Sequence, residues 1–225
     1  MKKIVSFGCS FTAHSHNNEN LERRNRVVYG DAKPHYEEIV PGVPNETSYT
    51  FETAYNLNTT YENFGDGGSG VRSAIYKALY YAKTNPIIDI YFIIGVSFFS
   101  RFDFVTPFKG SWGGINAVRN PYPKFPKEEY ARYYDEKSVE YEILTLIEMT
   151  SLYLNEKKIP HVFINTCNNR YSIQRICNTF MFPDNNEYWK DHIISYDDTY
   201  CGEHPNYNDH VRLGKLLANY LKPLI

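Results

Sequence analysis

Apolar residues along the chain fall into short continuous runs and into longer stretches with helical spacing. Residues 2–7 and 86–95 are almost unbroken apolar runs rich in β-branched and aromatic side chains, which predicts buried strands. Residues 71–83 carry apolar side chains at 71, 74, 75, 78, 79 and 82, and this spacing predicts a helix. Further strands are predicted at 60–64, 159–166 and 191–195, and further helices at 48–58, 128–156, 170–180 and 206–221.

Strands and helices therefore alternate along the chain, a pattern typical of an α/β fold. It predicts a parallel sheet with right-handed crossovers and helices on both faces. In such folds ligands bind beyond the carboxyl ends of the strands. Ser10, Gly68, Ser97 and the loop before the last helix all follow predicted strands, so we expect them at one edge of the sheet.

Two long segments, 13–46 and 99–127, have neither a sustained helical nor a strand period. Insertions of this length are usually functional or mobile. Both leave the predicted carboxyl edge, so we expect them to form the walls of a substrate cleft. No Pro/Gly/Ser-rich linker divides the chain, and we expect one domain over residues 1–225.

Composition excludes several function classes. The formal charge is −2 and the basic residues are spread out, so we expect no nucleic-acid partner. No signal-peptide pattern and no run of 18 apolar residues is present, which predicts a cytoplasmic protein without a membrane partner. The four cysteines lack metal-site spacing, so we expect reduced thiols and no cofactor. The Asn-, Tyr-, Lys- and Ile-rich composition is compatible with a bacterial or phage origin.

The first strand runs into a small-residue turn, "IVSFGCSFT", residues 4–12. Ser10 in this turn is either a nucleophile or a helix N-cap that follows a strand. A serine nucleophile needs a base within hydrogen-bond reach and backbone donors for the oxyanion. His204, in the loop before the last helix, is a candidate base, and Gly68 could bring a backbone N–H close to a substrate.

In order, four segments resemble the conserved blocks of the SGNH (GDSL-type) hydrolase family: "FGCSFT", "NFGDGGSG", "FIIGVSFFSR" and "EHPNYNDHVRLGKLLANYL". The resemblance implies a three-layer α/β/α sandwich with a flavodoxin-like parallel sheet of about five strands. It also implies that Ser10 is the nucleophile, Gly68 an oxyanion donor and His204 the base. Ser97 stands where the family has its oxyanion Asn, and its hydroxyl could donate one hydrogen bond.

The family's acid, three residues before the catalytic His, is replaced by Cys201. A neutral thiol cannot replace a carboxylate. Glu203, Asp198 or Asp197 could orient His204 instead, or the site could work as a Ser–His dyad with a backbone carbonyl on the imidazole.

Other interpretations of these segments remain. The "GDGGSG" segment, 65–70, could be a phosphate-binding loop with Asp89 as the acidic residue, although it follows the second strand rather than the first. His14, His16 and His210 with Asp209 could suggest a metal, but no metal-site spacing is present, and we expect none.

Two residues of the second insertion are candidate substrate-binding groups. Arg101 could hold an anionic or carbonyl group, or pair with Asp103. Trp112, with Phe98, Phe99 and Phe102, could supply a stacking surface for a sugar ring.

The resemblance implies a serine esterase or deacylase. The substrate would be a small-molecule or carbohydrate ester, with an O-acetylated carbohydrate first among them. The alternative is a catalytically inactive member of the same fold that binds glycan or serves a structural role, and the missing Asn and acid motivate it.

Overall fold

The structure is a computed structural model that describes residues 2–9, 12, 48–65, 69–99, 135–167, 169, 172–192, 205 and 207–224, and the backbone of 101–105 and 112–116. The strands are β1 (Lys3–Gly8), β2 (Thr60–Gly65), β3 (Ile90–Val96), β4 (Arg101–Val105), β5 (Trp112–Asn116) and β6 (His161–Asn165). The helices are α1 (Tyr49–Leu57), α2 (Val71–Thr84), α3 (Glu136–Glu156) and α4 (Tyr207–Leu221), with a 3-10 helix at Trp189–His192.

Four of the strands form a parallel sheet in the order β2-β1-β3-β6. Because side chains alternate along a strand, each strand contributes to two different cores. On one face Phe92 and Ile94 pack with apolar residues of α2 and α3, and on the other face Tyr91 and Ile93 pack with apolar residues of α1 and α4. The predicted α/β/α sandwich is therefore confirmed.

The outer edge of β6 differs from the prediction. The helix predicted at 170–180 is wrong for the described part, residues 172–180, because the backbone there pairs with β6 instead. Phe163 N–H donates to Asn178 O at 2.8 Å, and Phe180 N–H donates to Phe163 O at 2.8 Å. Isolated bridges join Thr179 to Phe163 and Tyr188 to Asn165, so this segment occupies the position of a fifth strand without forming one.

The strand predicted at 191–195 is also wrong where the structure describes it. Residues 189–192 form a 3-10 helix, and 193–195 lie outside the described residues. The Trp189 side chain is only 1% exposed and packs edge-on against the rings of Tyr49 and His210. Burial of this large ring fixes the backbone of the segment more strongly than its weak strand pattern does.

The second insertion contains regular structure that its composition did not predict. Strands β4 and β5 pair antiparallel, from Arg101↔Asn116 to Val105↔Trp112. The hairpin follows the carboxyl end of β3, as the cleft-wall prediction requires. The first insertion, 13–46, lies outside the described residues, and so does 128–134 of the long predicted helix, which begins at Glu136 after the N-cap Asp135.

No helix within the described ranges is both long and apolar enough to cross a membrane.

Candidate active site

Three parallel strands end side by side at the carboxyl edge of the sheet. Gly8 at the end of β1 is paired with Gly65 at the end of β2, and β3 ends at Val96 on the other side of β1. The segments that carry Ser10, Gly68 and Ser97 begin at these three ends. The topology therefore brings the predicted blocks to one edge.

The structure describes only part of the predicted site. Ser97 is described in full, and Arg101 and Trp112 are described as backbone. Five predicted site residues lie outside the described residues: Ser10, Gly68, Asp198, Glu203 and His204. Their assignments stay predictions, and the described residues around them supply the geometry that follows.

Two buried hydroxyls join the loops that follow β1, β2 and β3. Ser69 Oγ donates to Gly8 O at 2.9 Å, and Ser97 Oγ donates to Ser69 O at 3.3 Å. Ser97 is 1% exposed. Its hydroxyl hydrogen is used on a loop carbonyl, so it can donate to an oxyanion only by releasing Ser69.

Asn63, the Asn of the second block, fixes the end of β2 to the turn after β1. Its Oδ1 accepts from Gly65 N–H at 2.9 Å and from Ser6 Oγ at 3.1 Å, and its Nδ2 donates to Thr12 O at 2.9 Å. One amide side chain thereby holds both segments that lead to predicted oxyanion donors.

Thr12 lies at the far side of the turn that contains Ser10. Its N–H donates to Cys9 O at 2.9 Å. Its side chain sits against the backbone of β1 and β3, because a Cβ built at either Gly8 or Gly95 would overlap Thr12 Oγ1. Both glycines are therefore required for close approach, which gives the "FGCS" and "IIGVS" glycines a packing role.

The loops after β3 and β6 are joined in the same way. Thr166 Oγ1 donates to Val96 O at 2.8 Å. Asn169 donates through Nδ2 to Ser97 O at 3.2 Å, and its Oδ1 accepts from Phe99 N–H at 3.1 Å. The carboxyl edge is thus a continuous hydrogen-bonded surface from β2 to β6.

The start of α4 reaches this edge through Tyr49. Tyr49 Oη donates to Thr12 Oγ1 at 3.0 Å, and Tyr49 N–H donates to His210 Nδ1 at 3.1 Å. Since a backbone N–H can only donate, His210 Nδ1 carries no proton and the neutral ring is protonated at Nε2. Burial raises the pKa of the Tyr49 phenol well above its usual range, so its hydroxyl remains a donor.

Sequence reasoning missed Tyr49 and Asn169 as parts of this edge. Tyr49 could have been noticed as a bulky residue directly after the N-cap Ser48. Asn169 gave no signal, because the partners that place it at this edge are backbone groups of a loop about seventy residues away in sequence.

The register of the hairpin separates Arg101 from Trp112. Arg101 pairs with Asn116 at the base of the hairpin, and Trp112 pairs with Val105 at its other end. At about 3.3 Å per residue, four residues of strand place the two backbones roughly 13 Å apart. The two predicted substrate-binding residues therefore belong to different parts of the insertion.

A serine–histidine pair that no sequence motif indicated lies at the opposite, amino-terminal edge of the sheet. Ser151 Oγ lies 3.0 Å from His161 Nε2, and His161 Nδ1 lies 2.9 Å from Ile159 O. A carbonyl can only accept, so Nδ1 carries the proton and Ser151 donates to Nε2. Both residues are 4% exposed.

No group of three or more His, Cys, Asp or Glu side chains is placed to hold a metal ion in the part of the chain that the structure describes. Of the histidines weighed as ligands, His210 belongs to the described residues, and its Nδ1 already accepts from Tyr49. His14 and His16 lie outside them.

No protein-family model matches the chain, and no curated protein matches its sequence. Solved structures do match. A carbohydrate esterase whose active site "displays divergent catalytic and non-catalytic binding functions" aligns at TM-score 0.53 and 13% identity, over 99% of this chain and 65% of that chain. A proposed arylesterase from Agrobacterium tumefaciens str. C58 aligns at TM-score 0.50 and 10% identity, over all of both chains.

An acetyl xylan esterase from the rumen bacterium Butyrivibrio proteoclasticus matches at TM-score 0.48 and 14% identity, over 99% of this chain and 64% of that chain. The chain thus spans about two thirds of the length of the two carbohydrate-active esterases. The first two likenesses show that the chain shares the fold of these two esterases, and the α/β/α sandwich is the fold that the sequence predicts.

Proposed function

We propose that this chain is a serine esterase of the SGNH type that acts on a carbohydrate ester, an O-acetyl ester first among them. The observation that carries the proposal is the way the carboxyl edge holds the turn that contains Ser10. The backbone on both sides of Ser10 is held, at Gly8 by Ser69 and at Thr12 by Asn63, and Tyr49 also bonds the Thr12 hydroxyl.

In the proposed reaction Ser10 Oγ attacks the ester carbonyl while His204 takes the hydroxyl proton. The tetrahedral oxyanion is held by the backbone N–H groups of Ser10 and Gly68. Collapse breaks the bond to the leaving alcohol, which receives the proton from His204, and leaves an acyl group on Ser10. A water molecule, deprotonated by His204, then releases the acid and restores the serine.

Ser97 contributes to this site by holding the loop after β2. Its hydroxyl fixes Ser69, which follows Gly68 in sequence and is itself bonded to the end of β1. In this proposal Ser97 acts indirectly, by restraining the residue that follows the proposed oxyanion donor Gly68. Direct donation from Ser97 to the oxyanion would require the loop to give up this bond.

The second insertion supplies the proposed substrate-binding groups. Arg101 begins β4, five residues after the end of β3, so it lies at the base of the hairpin near the carboxyl edge. Trp112 begins β5 and is farther from that edge by the length of the hairpin. Arg101 would contact the part of the substrate near the ester, and Trp112 a more distant sugar ring.

The test is hydrolysis of p-nitrophenyl acetate and of acetylated xylan by the wild type and three single variants. Ser10→Ala and His204→Ala should each lower kcat by about a thousandfold or more, because the two groups act as a unit. Ser151→Ala is the matched control, since it also removes a serine that is bonded to a histidine, and it should leave kcat unchanged. Equal loss in Ser151→Ala, or retained activity in Ser10→Ala, would contradict the proposal.

A glycan-binding role without catalysis is the second candidate. The Ser97 hydroxyl is committed to a loop carbonyl, and the structurally similar carbohydrate esterase has a non-catalytic binding function. This candidate predicts that acetylated xylan binds equally well to the wild type and to Ser10→Ala, with no turnover by either.

A further inference from the structure

Tyr49 makes contacts with both halves of the proposed site. Its phenol donates to Thr12, two residues after the proposed nucleophile. Its backbone N–H donates to His210, six residues after the proposed base. Its ring also stacks on the His210 ring, with centroids 6.0 Å apart and planes 11° from parallel.

The contact between Tyr49 and α4 is rigid. The helix α1 begins at Tyr49, and Gly214 of α4 packs directly on its first turn. A Cβ at Gly214 would lie 3.0 Å from Tyr49 O and 3.1 Å from Thr53 N, so the two helices meet through backbone. Thr53 Oγ1 donates to Tyr49 O at 2.7 Å and also reaches Gly214 O at 3.3 Å.

The contact between Tyr49 and the nucleophile turn is equally constrained. Thr12 is fully buried, and its hydroxyl occupies the space left by Gly8 and Gly95. Its carbonyl and its N–H are bonded to Asn63 and Cys9. The Tyr49 phenol, itself 0% exposed, therefore meets a hydroxyl that has no room to move.

We infer that Tyr49 is a positioning residue that sets the distance between the nucleophile turn and the base loop. It is not a catalytic residue, because it is buried away from solvent and acts through Thr12 and His210. The inference rests on the proposed function for its catalytic consequence. The structural part, that the phenol holds the Thr12 side of the turn, stands by itself.

The direct test uses Tyr49→Phe, which removes the phenol oxygen but keeps the ring stack and the backbone bond to His210. We expect kcat to fall about tenfold with KM within twofold, since small misplacements of reacting groups cost up to about a hundredfold. Thr12→Val should match this loss, and Thr12→Ser, which keeps the hydroxyl, should retain most of the wild-type kcat. Tyr49→Phe combined with Thr12→Val should be no worse than either alone, because both remove one hydrogen bond.

A second pair of variants tests the contact between Tyr49 and His210. His210→Asn keeps an acceptor near the position of Nδ1, and His210→Leu does not. We expect kcat of His210→Leu to fall at least as far as that of Tyr49→Phe. The kcat of His210→Asn should lie between that of His210→Leu and that of the wild type.

Tyr91→Phe is the matched control, because Tyr91 is also a buried tyrosine in the same core, at 2% exposed. It should lower the melting temperature without changing kcat at temperatures well below melting. If Tyr49→Phe and Thr12→Val behave like Tyr91→Phe, with lower stability and unchanged kcat, the inference is overturned.

Amide hydrogen exchange separates this inference from the proposed function. If the wild type hydrolyses no ester, the proposed function fails. Exchange of the Thr12 N–H still reports on the contact between the Tyr49 phenol and Thr12. Faster exchange of that amide in Tyr49→Phe, with unchanged exchange in β3, supports the positioning role. Unchanged exchange at Thr12 overturns it.

Discussion

The amino-terminal edge of the parallel sheet has a bonded serine and histidine, and the carboxyl edge is where the proposed pair, Ser10 and His204, is expected. At the amino-terminal edge Ser151, His161 and the Ile159 carbonyl form a complete donor and acceptor chain, with distances of 3.0 and 2.9 Å. This is the arrangement expected of a serine–histidine dyad oriented by a backbone carbonyl. Both side chains, however, lie between α3 and the sheet and are 4% exposed.

At the carboxyl edge the described residues are parts of loops rather than of a helix. Loops from three strands meet there, and hydroxyl and amide side chains hold their backbones against one another. Ser151 instead lies within a helix, where backbone N–H groups are already bonded in the helix and cannot serve an oxyanion. The comparison teaches that a bonded serine and histidine define a nucleophile only where a substrate can enter and backbone donors are free.

The largest effect at the carboxyl edge, on both stability and kcat, is expected from Gly95→Ala. The new Cβ would overlap Thr12 Oγ1, so the nucleophile turn has to move away from β3. Overpacking of this kind costs about 1–3 kcal/mol of unfolding free energy, and we expect kcat to fall about tenfold or more as well.

Val96→Ala is the control for Gly95→Ala, because Val96 is equally buried but belongs to the core beneath α2 and α3. It should lower the free energy of unfolding by a similar amount with little change in kcat. Urea unfolding and steady-state kinetics on both variants make the measurement. A Gly95→Ala enzyme with wild-type kcat would show that the fixed turn is not needed.

The second prediction concerns the group that orients each histidine ring. His161 has its Nδ1 oriented by a carbonyl, whereas Cys201 stands where a carboxylate would orient the proposed base His204. Cys201→Asp should raise kcat/KM about tenfold, equivalent to about 1.4 kcal/mol of transition-state stabilisation. Cys201→Ser is the control and should give no gain. An unchanged or lower kcat/KM in Cys201→Asp would indicate that another group already orients His204.

The third prediction uses pH to report on the amino-terminal pair. Burial lowers the pKa of His161 below its usual value near 6.5. Below pH 6.5 His161 therefore becomes protonated in the unfolded chain while it stays neutral in the folded protein. Its contribution to the free energy of unfolding is complete above pH 6.5 and is lost as the pH falls toward the folded-state pKa. One proton changes the free energy of unfolding by at most about 1.4 kcal/mol per pH unit.

Urea unfolding of the wild type and His161→Gln at pH 7.5, 6.5 and 5.5 makes that measurement. The stability advantage of the wild type should be constant above pH 6.5 and should shrink below it. An advantage that is independent of pH would contradict a buried, neutral His161.

The smallest effect is expected from Ser151→Ala. This change leaves the buried His161 Nε2 without its donor, and the loss of one hydrogen bond lowers the free energy of unfolding by about 1 kcal/mol. Catalysis should not change, since no substrate reaches this pair. Ser151→Thr keeps a hydroxyl and should recover part of the stability. A fall in kcat/KM for Ser151→Ala at matched stability would break the distinction between the two edges.

The sequence predicted the fold well because burial on both faces of a parallel sheet leaves a direct pattern. The run from Ile90 to Val96 is apolar at nearly every position, and α2 has clean helical spacing. The predictions failed at 172–180 and 191–192, where pairing with β6 and burial of Trp189 decide the backbone. These are tertiary effects that no local pattern carries.

The candidate site was predictable to a different extent. The sequence predicted that Ser97 and the ends of β1, β2 and β3 lie at one edge of the sheet, and the structure shows them there. Motifs could not reveal Tyr49 or Asn169, because their roles depend on partners more than thirty residues away in sequence. Motifs also could not show that the Ser97 hydroxyl donates to the Ser69 carbonyl.

The most direct test of the central claim is reaction with a fluorophosphonate probe, followed by mass spectrometry of the digested protein. The account predicts one modified peptide, which contains Ser10, no modification of the peptide with Ser151, and loss of labelling in Ser10→Ala. Labelling at Ser151, or labelling of Ser10→Ala at the wild-type rate, would contradict the claim that the nucleophile lies at the carboxyl edge of the sheet.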